Sequence, residues 1–282
     1  MKNEPAKVGK MTGNPSGDRI TFVMSHLSPS LGLERVALNL MELLDSDYDV
    51  HVICIGGSSS DLRVRPQVEV LGAPLTGPSR IWSVLRLWKH SSRRDLGKVI
   101  LVGVWAAIPW LILPGVGTGP AIVWEHSLMV EKNKHSRSMR LLWLLARATY
   151  RRANAIVAVS KPVRDDLEQF PGVLELREIP NYVSIPPIDL LENQINGRRI
   201  DPFKLLSVGS LTVIKSHNVA IEALSLLDER FTLTIVGAGP RLDSLRRLAA
   251  AKGVSSRVHF RGFLTPSEVE AELADAAMLV HC

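Results

Sequence analysis

Apolar residues fall into two alternating rhythms along this chain. Short runs rich in Val, Ile and Leu read as buried strands, and apolar positions three and four residues apart read as helices. In the first two-thirds, strands are expected at residues 19–25, 50–55, 68–71, 99–104, 121–124, 155–160 and 176–179. Between them, residues 34–44 have helical spacing, with Val36, Leu40, Leu43 and Leu44 sharing a face. Residues 81–90 form an amphipathic helix. Residues 138–152 form a longer one, apolar at Leu141, Leu144, Leu145 and Ala148 and basic on its flanks. Lys161-Pro162 opens a further helix, since proline fits a first turn.

A second series follows, with strands at 205–208, 232–236, 258–260 and 278–280 and helices at 219–227, 241–252 and 266–276. Strands that alternate with helices imply parallel sheets joined by right-handed crossovers, an α/β fold. Pro186-Pro187 and the polar run 192–201 (ENQINGRRID) separate the two series. The expected division is a disordered lead over 1–18, a first domain over 19–190, a linker over 191–200 and a second domain over 201–282.

Composition narrows the classes. A chain of 282 residues with 46% hydrophobic content can bury more than one core. Cys54 and Cys282 lie far apart and follow no CxxC spacing, which argues against a disulfide framework or structural zinc and fits a reducing compartment. The net charge of +6 favours anionic partners, but 5% aromatic content without basic–aromatic interleaving argues against nucleic acid. The first 18 residues contain no apolar signal region. Residues 99–117 are 19 uncharged residues, near the length of a membrane span, but Pro109, Pro114 and three glycines interrupt them. A buried strand followed by a short apolar helix is expected there. The basic helix 138–152 and the pair Trp82 and Trp88 could touch a membrane surface, or form a core helix with solvated basic edges.

The stretch 203–224 carries the chemistry. An apolar strand runs into Gly209, then Ser210 and a short polar turn holding Lys215, then a helix with apolar Val219, Ala220, Ala223, Leu224 and Leu227. That unit presents backbone N–H groups and the positive end of a helix dipole to an anion, and Lys215 adds a full charge. The next strand ends in Gly237-Ala-Gly239, but Leu242 stands where a dinucleotide fingerprint needs its third glycine, so an NAD enzyme is disfavoured. The pair of glycines fits a tight turn and a nucleotide contact alike.

Taken together, three segments of the second half resemble the donor domain of the GT4 glycosyltransferases, which have the GT-B fold. They are Leu206-Ser-Val-Gly-Ser-Leu-Thr-x-x-Lys215-x-His217, Leu233-Thr-Ile-Val-Gly-Ala-Gly-Pro240 and Arg257-Val-His-Phe-Arg-Gly-Phe263. In the first half, Leu31-Gly32-Leu-Glu34 is similar to a Gly-Gly-x-Glu loop and Glu125-His126 to the histidine after a strand. Ala158-Val-Ser160 and Ile179-Pro-Asn181 are similar to two further landmarks. The resemblance implies two Rossmann-like domains with a cleft between them. It implies transfer of a hexose from a UDP- or GDP-sugar to a saccharide or lipid-linked acceptor with retained configuration, with no metal or other cofactor. Lys215, Ser210 and Gly32 would face the donor diphosphate, Gly209 and Gly239 would belong to the donor-binding loops, His126 would face the transferred sugar and Phe263 the base, although Phe263 fits core packing equally. The implied location is cytoplasmic or peripheral on the inner membrane face. The family's Glu-x7-Glu motif follows the strand matched by 277–281 and has no counterpart in these 282 residues. A second domain cut after its fourth strand is therefore expected. The alternative to an enzyme is an inactive remnant or a nucleotide-sugar-binding piece.

Overall fold

Ile20, Phe22, Val23 and Met24 are buried on both faces of β1 (Arg19–Met24), as a strand flanked by crossover connections must be. In the computed structural model the described residues are 18–27, 32–56, 67–71, 79–92, 94–117, 119–128, 137–182 and 200–282. The expected lead up to residue 17, the loop 28–31 and the linker up to residue 199 lie outside them. The chain divides into two units, Met1–Ser184 and Ile185–Cys282.

In the first unit β1 is followed by α1 (Gly32–Leu44), β2 (Asp49–Cys54), β3 (Gln67–Val70), α2 (Ser79–Ser91), β4 (Lys98–Val102) and α3 (Val104–Ile112). Then come β5 (Ala121–Glu125), α4 (Arg137–Thr149), a single 3-10 turn (Tyr150–Arg152), β6 (Ala155–Ala158), α5 (Lys161–Leu167) and β7 (Leu176–Glu178). The strands form one parallel sheet in the order β3-β2-β1-β4-β5-β6-β7, with Phe22 opposite Val52 and Val23 opposite Leu101. The period of two along each strand feeds two cores. Val23, Ile53, Leu101, Val123 and Ile156 pack with α3 and α4. Phe22, Met24, Val52 and Cys54 pack with Ala37, Leu38 and Met41 of α1.

The apolar run at 99–117 resolves into β4 and the nine-residue α3, as its prolines and glycines imply. Among the described residues no helix is long and apolar enough to cross a membrane. Two helix faces differ from expectation. On α1 the buried stripe is Glu34, Ala37, Leu38 and Met41, while Leu43 is exposed. On α4 the buried positions are Leu142 and Ala146, whereas Leu141 and Leu144 are 58% and 50% exposed. Five consecutive large apolar residues, Leu141 to Leu145, let the periodic pattern be drawn one residue out of phase.

The second unit contains β8 (Asp201–Val208), α6 (His217–Leu224), β9 (Thr232–Val236), α7 (Leu242–Ala251), a 3-10 turn (Ser255–Arg257), β10 (Val258–Gly262), α8 (Pro266–Asp275) and β11 (Ala276–Leu279). The strands form a parallel sheet in the order β10-β9-β8-β11. Leu205, Leu233 and Ile235 pack with Ala220, Ile221, Leu224, Leu245 and Ala249. Here Ala220 and Leu224 are buried as expected, but the rest of the expected face differs. Val219 is exposed, Leu227 lies past the end of α6, and the buried stripe is His217, Ala220, Ile221 and Leu224. Because all pairs are parallel, the loops after β8, β9 and β10 leave one edge of the sheet. That carboxyl edge is where ligands bind in such folds.

Candidate functional site

On the carboxyl edge of the second unit, the segment after Val208 is strapped to the neighbouring strand. The Gly209 amide donates to Val236 O at 2.9 Å and the Leu211 amide to Ala238 O at 3.0 Å. The Ser210 amide between them has no backbone acceptor among the described residues. Ser210 itself is exposed. The chain then turns through Ser216, whose φ of 45° and ψ of 31° are left-handed, into the first turn of α6. The half-buried Lys215 makes no ion pair among the described residues. Its stem runs beside Gly209: a Cβ built there would stand 3.5 Å from Lys215 Cγ and Cδ and 3.7 Å from His217 Nε2.

The two glycines after β9 have a reason within the fold. Gly237 has φ of 141°, and a Cβ on it would stand 1.9 Å from Gly209 O. A Cβ on Gly239 would stand 2.6 Å from Leu211 O. Both let the turn after β9 press against the strap after β8, which accounts for the Gly-x-Gly without a ligand. Phe263, after β10, is 62% exposed at the same edge, so core packing does not explain it.

His217 is the residue that the strand–turn–helix pattern passed over. It is 2% exposed at the first position of α6, with Nδ1 3.0 Å from Ser207 Oγ. Nε2 lies beside the Gly209 and Ser210 backbone but makes no well-formed hydrogen bond there. Burial lowers its affinity for a proton, and Lys215 and His281 act the same way, against the pull of that backbone. Its spacing from Ala220, Ile221 and Leu224 was the available signal.

In the first unit, Gly32 begins α1, and a Cβ there would meet nothing within 4 Å among the described residues. The unit's own packing does not demand a glycine. Glu34, in the first turn of α1, is buried near His26, and burial raises its carboxyl pKa. Leu31 lies outside the described residues. Burial also pushes the Cys54 thiol up to about 11, which leaves it an inert core residue.

His126 follows β5 and is half-buried, its ring 4.4 Å from that of Trp124. The backbone that carries it is organised by Glu125, a buried carboxylate. Oε1 accepts from the His126 amide at 3.1 Å, the Ser127 amide at 3.3 Å and the Ser127 hydroxyl at 3.1 Å. The buried Tyr150 hydroxyl donates to Oε2 at 2.9 Å. Burial first, and then the carboxylate, hold the Tyr150 pKa well above its ordinary value, so the donor keeps its proton. Tyr150→Phe leaves a buried carboxylate short of a donor and is expected to lower stability by about 1–3 kcal/mol in urea denaturation.

A cavity of about 280 Å³ lies away from these loops, toward the amino ends of β1 and β4. Its Arg19 pairs with Asp49 at 3.0 Å and its Arg94 with Glu69 at 3.5 Å, so both cations are already answered.

Residues 31–185 match the family model described as Glycosyltransferase Family 4, and residues 191–282 match Glycosyl transferases group 1. The fold is similar to HepE from Anabaena, solved with UDP-glucose, at TM-score 0.70 and 16% identity over 94% of this chain and 73% of that one. It is similar to sucrose-phosphate synthase from Thermosynechococcus elongatus at TM-score 0.70 and 16% identity, covering 93% and 74%. WaaG, a glycosyltransferase involved in lipopolysaccharide biosynthesis, matches at TM-score 0.63 and 18% identity, covering 93% and 74%. At these identities the likeness is one of fold. No curated protein matches the sequence.

Proposed function

Because the chain belongs to glycosyltransferase family 4, we propose that it transfers a hexose from a nucleotide sugar to a saccharide or lipid-linked acceptor with retained configuration. Family and fold support glycosyl transfer from a nucleotide sugar. The single observation behind the donor site is the Gly209–Ser210 strap with Lys215, which makes no ion pair among the described residues, just before α6. Breaking the bond between the anomeric carbon and the diphosphate loads negative charge onto the leaving group. A cation and oriented N–H donors stabilise that charge, and do so more strongly in the transition state than before it.

Lys215 and Ser210 are assigned to the diphosphate and Phe263 to the base. In the first unit Gly32 is assigned to the diphosphate and His126 to the transferred sugar. Gly209 and Gly239 hold the donor loop in shape. No metal or other cofactor enters this scheme. UDP is the favoured nucleotide, since HepE was solved with UDP-glucose. The test is sugar transfer from UDP-glucose and GDP-mannose to a panel of saccharide and lipid-linked acceptors, with calorimetry of donor binding alongside. Turnover supports the enzyme; binding without turnover supports a nucleotide-sugar-binding protein; protection by NAD(H) alone overturns both.

Peripheral attachment to an anionic membrane is part of this reading. It is supported by the outward face of α4, where exposed Leu141 and Leu144 lie with exposed Arg140 and, just beyond, exposed Arg151. Trp88 is also exposed, its indole N–H donating to Pro114 O at 3.0 Å, while the Trp82 side chain lies outside the described residues. A Leu141→Glu/Leu144→Glu double variant is expected to lose roughly 10-fold or more of its co-sedimentation with phosphatidylglycerol vesicles. Equal sedimentation of the two proteins removes this face from the reading.

A further inference from the structure

We propose that His217 takes up a proton from solvent when the donor diphosphate binds, and so supplies a second positive charge beneath the Gly209–Ser210 strap. The proposal rests on the nucleotide-sugar reading of that strap and adds a proton-coupled residue to it.

Four observations converge on this ring. His217 is 2% exposed, yet its buried Nε2 makes no well-formed hydrogen bond among the described residues, an unusual state for a polar atom. Its other nitrogen is fixed by Ser207 Oγ at 3.0 Å, so the ring cannot swing away to find one. The orphaned nitrogen looks toward the backbone that would carry the phosphates, 3.7 Å from the Cβ position of Gly209 and level with the Lys215 stem. The loop itself carries only one full positive charge, Lys215, because Ser210 is neutral. A nucleotide-sugar diphosphate carries two negative charges.

The charges around the ring explain why it waits unprotonated. Burial disfavours the cation, Lys215 on the preceding turn and His281 beyond β11 add to that, and the Gly209 and Ser210 backbone opposes them. Arg241, before α7, reaches Asn218 Oδ1 at 3.3 Å, one residue along, and is turned to that partner. A diphosphate on the strap reverses the sign of the local field, which raises the proton affinity of a buried imidazole. In the imidazolium both nitrogens carry hydrogen, so Nδ1–H donates to Ser207 Oγ and Nε2–H is the donor turned toward the strap.

The sign of the linkage follows. In the free protein the His217 pKa lies below the ordinary 6.5, so the unfolded chain binds the proton more readily and stability falls as pH drops below about 6.5. In the complex, bound donor and bound proton favour one another, so donor affinity rises as pH falls from 8 toward 6.5.

The decisive experiment is calorimetry of UDP-glucose and GDP-mannose binding to the full chain in buffers of differing ionisation enthalpy. Their diphosphates are esterified at both ends and do not titrate near neutrality. Between pH 7 and 7.5 the wild type is expected to take up a measurable fraction of a proton per donor bound. His217→Gln, checked for folding by its melting curve, is expected to take up none and to lose the pH dependence of affinity. Donor binding with no proton uptake by the wild type overturns the proposal by itself and needs no variant. The same uptake in a folded His217→Gln overturns it too. Binding of neither nucleotide sugar overturns the donor-site reading and this proposal with it.

Discussion

Lys215→Met is expected to weaken nucleotide-sugar binding by roughly 10- to 100-fold while leaving the melting temperature close to that of the wild type. The two halves of this prediction have separate causes. Lys215 has no ion-pair partner among the described residues, so removing its charge strands no carboxylate and disturbs no internal pair. Its stem only brushes the face of Gly209, and methionine supplies comparable apolar length. A diphosphate on the Ser210 amide, by contrast, would lose its one full countercharge from that loop. Calorimetry of UDP-glucose binding and a melting curve measure the two together. A melting point lowered by many degrees with unchanged donor affinity would assign Lys215 to the fold and withdraw it from the site.

Gly237→Ala should instead cost stability, roughly 3–4 kcal/mol in urea denaturation of the chain. The residue combines a φ of 141° with a Cβ position 1.9 Å from Gly209 O. The oxygen it would strike belongs to the backbone strap after β8, so relief requires moving the ends of two paired strands. Gly209→Ala is the control: its nearest neighbours would stand at ordinary contact distance, and a change of less than about 1 kcal/mol is expected. Gly32→Ala completes the set. Among the described residues nothing lies within 4 Å of its Cβ position, so the fold should tolerate it. Loss of donor affinity in a fully stable Gly32→Ala would then report a ligand in that space. Equal stability of the Gly237 and Gly209 variants would contradict the packing described for the turn after β9.

Much of this was visible in one dimension. The alternation of apolar runs with helical spacing located nearly every described strand and helix, since a doubly covered strand must be almost uniformly apolar whatever surrounds it. Residues 232–236, expected as a strand, are β9. Within 99–117, Gly103 separates β4 from α3 and Pro114 follows the helix end, whereas Pro109 sits inside α3. The family could likewise be recognised from the order and spacing of three short segments, because those spacings are set by the length of a strand, a turn and a first helical turn.

What the pattern could not decide was direction. Apolar residues on all sides of α4, Leu141 to Leu145, admit several buried stripes, and only contact with α3 selects Leu142 and Ala146. The same ambiguity on α6 hid His217, because hydropathy counts a histidine as polar. Its burial depends on Ser207, ten residues earlier, waiting beneath it. The two glycines after β9 looked equally suited to a ligand or a turn until the third dimension brought Gly209 and Leu211 against them. By itself the sequence determined the α/β class, the family and the place of the glycine-containing turn between β8 and α6, all properties of local order and spacing. The tertiary structure alone decided which side chains are buried, which glycines the fold requires and where, among the described residues, a buried polar atom lacks a well-formed hydrogen bond, since those depend on neighbours distant along the chain.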